Sequence, residues 1–257
     1  MGMDIHITKT INVRGFSIRY STIGEGKPVV YLHDYRGFEP LNSFLEHLAE
    51  NYRIVSIELP GFGMSERPEW LTTMEDLSFF FLDILDELDL DRVILVGHSL
   101  GGWLAADLTA KFTSRIEKLV LINAMGLHLH EPEIPDVFMM SQEEIKRLIY
   151  HNPGLIEEQD PDFLMKSRAD TMTARLAWNP RFHDPKLKYR LHRIDVPTLL
   201  AWGETNEFIP VEYGNAYKEL ISHADLVMIP ECGHLPQIEQ PELLYSKVAS
   251  FLYDNTK

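Results

Sequence analysis

Short, nearly continuous apolar runs alternate with longer amphipathic stretches along most of the chain. The runs cover residues 29–33 (VVYLH), 53–58 (RIVSIE), 93–97 (VILVG), 118–122 (KLVLI), 198–202 (TLLAW) and 226–229 (LVMI), each bounded by Gly, Pro or polar residues. A strand with one wet face alternates apolar and polar residues. A strand without that alternation is covered on both faces, as in a parallel sheet. Between the runs, residues 73–88 place Leu77, Phe80, Phe81, Ile84, Leu85 and Leu88 at helical spacing, with Asp83, Asp86 and Glu87 on the other face. Residues 100–112 and 241–252 read the same way, and residues 5–22 read as an antiparallel hairpin turning near 12–15. Strands alternating with helices predict an α/β fold with a mostly parallel, doubly wound sheet.

Residues 124–193 break the rhythm. They hold helical patterns at 142–150 and 161–176 but no convincing strand. A structureless loop of that length is rare in a compact domain. The expectation is a helical lid of residues 124–193, inserted into a core made of 1–123 and 194–257 and lying over the carboxyl ends of the strands, where open α/β sheets bind ligands.

The chemistry concentrates at Gly97-His98-Ser99-Leu100-Gly101. A strand ends at this G-x-S-x-G motif and a helix starts within it, the context in which a serine is thrust out on a sharp turn as a nucleophile. Serine needs an imidazole to take its proton. Of the 11 histidines, His234 stands in the loop between the last predicted strand and the final helix, so it reaches the sheet edge that carries Ser99.

With these motifs in view, the chain resembles the α/β-hydrolase superfamily over nearly its whole length, and within it lidded small-molecule esterases and carbon–carbon bond hydrolases. His33 sits where that family's oxyanion loop begins, and residues 58–65 (ELPGFGMS) look like its D-x-P-G-x-G-x-S turn with Glu58 in place of Asp. The resemblance implies an α/β-hydrolase fold, with Ser99 as nucleophile, His234 as general base, and an oxyanion hole formed by the backbone N–H groups of Leu100 and Tyr35. Asp34 occupies a position where the family carries Gly, and a carboxylate there would repel a forming oxyanion unless it points away or is protonated.

The loop 202–210 (WGETNEFIP) matches the family's acid-bearing G-x-x-D-x-Φ-Φ-P pattern, but Asn206 holds the aspartate position. Asparagine carries no charge, and with its NH₂ toward the ring it selects the wrong histidine tautomer. Three arrangements fit: Asn206 merely orients His234, Glu207 or Glu204 replaces the acid, or the chain binds a ligand without rapid turnover. The family's other acid position reads Asn123-Ala124, which closes that route.

The resulting expectation is a serine hydrolase that cleaves small carboxylic esters through an acyl-enzyme on Ser99. Carbon–carbon bond hydrolysis is the alternative, although relatives of that kind often carry Trp where this chain has Leu235. No cofactor or metal is expected: His128, His130, His151, His183 and His192 lack a familiar ligand spacing. Cys232 reads as a packing residue. Met125, Leu127, Phe138, Met139, Met140, Leu148 and Trp178 are candidates for an apolar pocket, and Arg168 and Arg175 for a carboxylate clamp. A net charge of −15 argues against nucleic acid and anionic membranes as partners. One cysteine, an N-terminus without a signal-peptide pattern and no spanning apolar run lead to the expectation of a cytoplasmic protein.

Overall fold

The computed structural model describes residues 7–39, 41–155 and 163–254. β1 (Ile7–Val13) and β2 (Phe16–Ile23) form the opening hairpin. Its two turn residues, Arg14 and Gly15, both have positive φ (51° and 92°), the conformation that lets a tight turn follow the strand twist. Asn12 Oδ1 accepts the Gly15 N–H at 3.0 Å and closes the turn. The hairpin's expected start at residues 5–6 and the expected helix start at 161–162 lie outside the described residues.

After the hairpin come β3 (Pro28–Leu32), α1 (Ser43–Ala49), β4 (Arg53–Ile57), α2 (Met74–Glu87), β5 (Val93–His98), α3 (Leu100–Lys111) and β6 (Ile116–Ile122). Beyond the region of α4 (Gln142–Ile149) and α5 (Phe163–Ala177) the chain returns with β7 (Thr198–Gly203), α6 (Val211–Leu220), β8 (Ala224–Ile229), α7 (Pro236–Glu239) and α8 (Pro241–Tyr253). The eight strands form one sheet in the order β1-β2-β4-β3-β5-β6-β7-β8. The pairs from β4-β3 through β7-β8 are parallel, and only the hairpin side is antiparallel.

The continuous apolar runs follow from this architecture. Along β3, Val29 and Tyr31 enter one core with α1 and α8, while Val30 and Leu32 enter the other with α2 and α3. Successive side chains of a strand point to opposite faces, so a strand between two helical layers has no polar face. β8 is the exception. As an edge strand it is only partly buried, which is why its polar start at Ala224-Asp225 does not read as strand.

Among the described residues, 124–193 contribute no strand to the sheet. They form α4, α5, short 3₁₀ turns and two isolated bridges, Gly126–His183 and Trp178–Arg181. α4 opens on a capping box in which Ser141 and Glu144 satisfy each other's backbone N–H. The segment is tied to loops at the carboxyl ends of the strands. Thr173 Oγ1 donates to Tyr35 O (2.9 Å), and the His234 N–H donates to Ile149 O (2.7 Å). No helix among the described residues is long and apolar enough to cross a membrane.

Candidate active site

Ser99 links the last residue of β5 to the first of α3, with φ 55° and ψ −112°. A side chain at positive φ costs about 1–3 kcal/mol and persists only where its surroundings enforce it. Here the Ser99 N–H donates to Ile122 O (2.9 Å), and Ser99 O accepts from Trp103 N (3.0 Å) and Met125 N (3.1 Å). The flanking glycines are required by close backbone approach. A Cβ on Gly97 would lie 2.4 Å from Gly101 O, and one on Gly101 would lie 2.4 Å from Leu32 O. The Ser99 side chain makes no capping bond to α3. Its Oγ instead lies 2.9 Å from His234 Nε2.

The His234 ring packs on Phe208 (centroids 4.9 Å, 72°) and lies beside His98 (5.1 Å, 37°). The His234 carbonyl is clasped twice, by His98 Nε2 at 2.8 Å and by Asn123 Nδ2 at 3.0 Å. Asn123 Oδ1 also accepts the Gly203 N–H at 3.0 Å, so one buried amide joins the end of β6 to β7 and to the histidine loop. Neither His98 nor Asn123 is singled out by sequence for this task. Both stand at strand ends, where a polar residue looks like an ordinary cap. Burial, and then the neighbouring His98, hold the His234 imidazole well below its ordinary pKa. Asp34 opposes that shift and Arg36 adds to it.

Asn206 reaches the ring with its Nδ2 3.3 Å from His234 Nδ1. Its orientation is set from the other end, because Oδ1 accepts the backbone N–H groups of Ile209 (3.0 Å) and Phe208 (3.2 Å). An amide nitrogen only donates. Nδ1 is therefore the acceptor, the proton sits on Nε2, and Nε2–H faces Ser99 Oγ. This is the tautomer opposite to the one a general base needs. The loop turns Asn206 inward and Glu204 and Glu207 outward, and both glutamates are exposed.

Leu100 is the first residue of α3, so its N–H precedes the first intrahelical bond. Among the described residues, neither the Leu100 nor the Tyr35 N–H is hydrogen-bonded. The Gly101 N–H donates to His33 O (3.1 Å) and joins the helix to the Tyr35 loop. His33 is neutral: burial lowers its pKa to about 4, Nδ1–H donates to Asp34 O (2.7 Å) and Nε2 accepts from Leu59 N (3.1 Å). Asp34 Oδ1 accepts the Arg36 N–H at 2.8 Å, and Oδ2 accepts Arg36 Nε–H at 3.0 Å. Burial would raise the Asp34 pKa, but Arg36, His98 and His234 outweigh it and hold it at about 2. Glu58 closes the turn at residues 58–65 by accepting from Met64 N (2.8 Å) and Ser65 N (2.7 Å).

A cavity of about 1020 Å³ opens between this loop and the 124–193 segment, lined by Tyr35, Arg36, Phe138, Met140, Tyr150 and Met165 among others. Ser99 and His234 are fully buried and do not line it. Tyr35 lies on the boundary: it lines the cavity and packs its ring on Phe208 (5.3 Å) and, more distantly, His234 (6.3 Å). Of the other apolar candidates, Met125 and Leu127 are buried in the core, Leu148 packs against it, and Met139 and Trp178 are exposed. Arg168 donates to Ser65 O (3.1 Å), and neither Arg168 nor Arg175 lines the cavity. His128 stacks on His183 (4.6 Å), and no trio of His, Cys, Asp or Glu among the described residues is placed to hold a metal ion. Cys232 is buried, and burial followed by Glu239 pushes its thiol pKa up.

Comparison with known proteins bears on the family and the fold. The sequence profile of the alpha/beta hydrolase family matches residues 29–247. A 2-hydroxy-6-oxo-6-(2'-aminophenyl)hexa-2,4-dienoic acid hydrolase of Metapseudomonas resinovorans is 26% identical, over 96% of this chain and 91% of the relative. A 2-hydroxy-6-oxononadienedioate/2-hydroxy-6-oxononatrienedioate hydrolase of Cupriavidus pinatubonensis is 30% identical, over 92% of this chain and 91% of the relative. Among solved structures, a meta-cleavage product hydrolase from Pseudomonas fluorescens superposes with a TM-score of 0.82 at 23% identity, over 95% of this chain and 97% of the other. With the strand order, the serine turn and a match spanning most of its length, this chain belongs to the α/β-hydrolase family.

Proposed function

We propose that this chain is a serine hydrolase that cleaves the carbon–carbon bond beside a ketone in a small oxo-dienoate substrate. The observation that carries the reading is the contact between His234 Nε2 and Ser99 Oγ, 2.9 Å, at the strained turn between β5 and α3. The substrate class is drawn from relatives that match more than nine-tenths of this chain and are named as hydrolases of 2-hydroxy-6-oxo dienoic or related dioic acids. Sequence alone puts ester cleavage first and carbon–carbon cleavage second, and the names of the relatives favour the second reading despite Leu235.

In this mechanism His234 takes the proton of Ser99 and Oγ attacks the carbonyl carbon. The N–H groups of Leu100 and Tyr35 hold the oxyanion, a term worth about 3 kcal/mol per donor. For the carbon–carbon bond to break, the substrate's 2-hydroxyl proton must first have moved to C5, giving the keto tautomer. The C5 fragment then departs as a conjugated dienolate and takes its proton from His234. Water then opens the acyl-enzyme by the same route and releases the acid. The chain's own geometry makes this slow. Before it accepts a proton at Nε2, His234 must carry its proton on Nδ1, facing the Asn206 amide donor.

A second reading is binding with little turnover. Its support is the direction of the Asn206 amide and the full burial of Ser99. The test is turnover of 2-hydroxy-6-oxo-6-phenylhexa-2,4-dienoate, followed by loss of its conjugated chromophore, beside short-chain p-nitrophenyl esters. We expect slow cleavage of the dienoate that disappears in Ser99→Ala, with weaker ester hydrolysis. Equal rates for wild type and Ser99→Ala on both substrates would leave binding as the function.

A further inference from the structure

Two positions of the site depart from the family pattern in opposite directions. Position 206 lacks the triad carboxylate, and position 34 carries one where the family resemblance implies glycine. Asp34 is only 5% exposed, and Arg36 N and Nε fix its carboxylate in the loop after β3. Its Oδ2 lies 3.8 Å from His98 Nδ1, a buried atom with no hydrogen-bond partner. The His98 ring lies beside the His234 ring and donates Nε2–H to the His234 carbonyl. The carboxylate, the spacer ring and the base are therefore contiguous and buried, and Asp34 approaches His234 through His98 while Asn206 meets its Nδ1.

We propose that Asp34 is the counter-charge of His234 in this chain, a positioning residue that stabilises the imidazolium formed when Ser99 gives up its proton. The inference rests on the Ser99–His234 reading above. In the step concerned, the proton passes from Ser99 Oγ to His234 Nε2, and the electron pair left on Oγ forms the bond to the carbonyl carbon. The ring then carries a full positive charge in a dry interior, where a fixed carboxylate acts at longer range than in water. Arg36 opposes the effect, but Asp34 acts on His234 more strongly than Arg36 does. Asp34 makes no bond to Nδ1, so it supplies the missing charge and leaves the tautomer as Asn206 sets it. Conversely, Asn206→Asp would place a carboxylate in direct contact with the ring and make the charge at position 34 largely redundant.

The test is a double-mutant cycle on wild type, Asp34→Asn, Asn206→Asp and the double variant. The readout is the rate of Ser99 phosphonylation by a fluorophosphonate, followed by intact mass across pH, which needs no knowledge of the natural substrate. The charged groups facing His234 are Asp34, Arg36 and His98, so the acid limb of that rate reports their balance. Asp34→Asn is expected to slow wild type about tenfold and to move the acid limb to lower pH. In the Asn206→Asp background it should cost less than about threefold. The same cost in both backgrounds would show that Asp34 only shapes the loop. An Asp34→Asn variant faster than wild type would show that the charge at position 34 opposes the oxyanion. Either result overturns the proposal. Asp34→Gly, the residue the family carries, goes through the same cycle if Asp34→Asn does not fold. Failure of the underlying reading appears separately, as labelling of Ser99→Ala at the wild-type rate.

Discussion

Asn206→Asp is the substitution for which the structure predicts the largest gain in activity. The two side chains have the same shape, so Oδ1 keeps its bonds from Phe208 N and Ile209 N, now strengthened by charge. The second oxygen takes the place of Nδ2, 3.3 Å from His234 Nδ1. An acceptor there requires Nδ1–H, which frees the Nε2 lone pair for the Ser99 proton. Unit charges about 4 Å apart at an effective dielectric near 20 interact by about 4 kcal/mol, and each 1.36 kcal/mol is tenfold in rate. That amounts to about three orders of magnitude. In serine proteases the reverse replacement costs about 10⁴-fold. We therefore expect kcat for p-nitrophenyl acetate to rise by about 10² to 10⁴, with KM little changed because Asn206 does not line the cavity. The acid limb of the pH profile should move to higher pH as His234 gains a negative partner. A gain below threefold, or a loss, would refute the tautomer argument.

Acid should destabilise the fold within a defined window. His33, His98 and His234 are held neutral by burial, with His33 at about 4 against 6.5 when unfolded. The unfolded chain binds more protons between those values, so stability is complete above about pH 6.5 and is lost as pH falls toward 4. His33 alone accounts for about 3 kcal/mol of that loss. Urea midpoints at pH 7 and pH 5 measure it, and equal midpoints would contradict it. Asn123→Ala should cost about 1–3 kcal/mol, since it strands the buried Gly203 N–H and lets the His234 carbonyl lose one of its two donors. It should also slow Ser99 labelling, and a fully stable, fully reactive variant would refute that role. Phe208→Ala removes a buried ring packed on His234, Tyr35 and Phe182, for an expected loss of about 3–5 kcal/mol by thermal denaturation.

The features legible in sequence are those written by local rules. Continuous apolar runs mark β3 to β7 because helices cover both faces of the sheet. The serine turn is legible because glycine is the only residue that fits at 97 and 101. The positions that were not legible depend on contacts between distant residues. Both orientations of the Asn206 amide are open until the Phe208 and Ile209 N–H groups choose one. Asp34 reads as a threat to the oxyanion until Arg36, two residues on, is seen to engage its carboxylate. Asn123 reads as a missing acid, although its amide fits a site that needs both a donor and an acceptor. The 124–193 segment is hardest to read, because short 3₁₀ turns impose no helical period. Met139 and Trp178 consequently face out while Met125 and Leu127 enter the core.

The central claim is that Ser99 is the nucleophile, activated by His234 within a weakened triad. The most direct measurement is peptide mapping by mass spectrometry after exposure to a fluorophosphonate. The account predicts a single slow adduct on the peptide carrying Ser99, formed faster in Asn206→Asp and absent in Ser99→Ala. An adduct elsewhere, or an unlabelled Ser99 in Asn206→Asp, would contradict it.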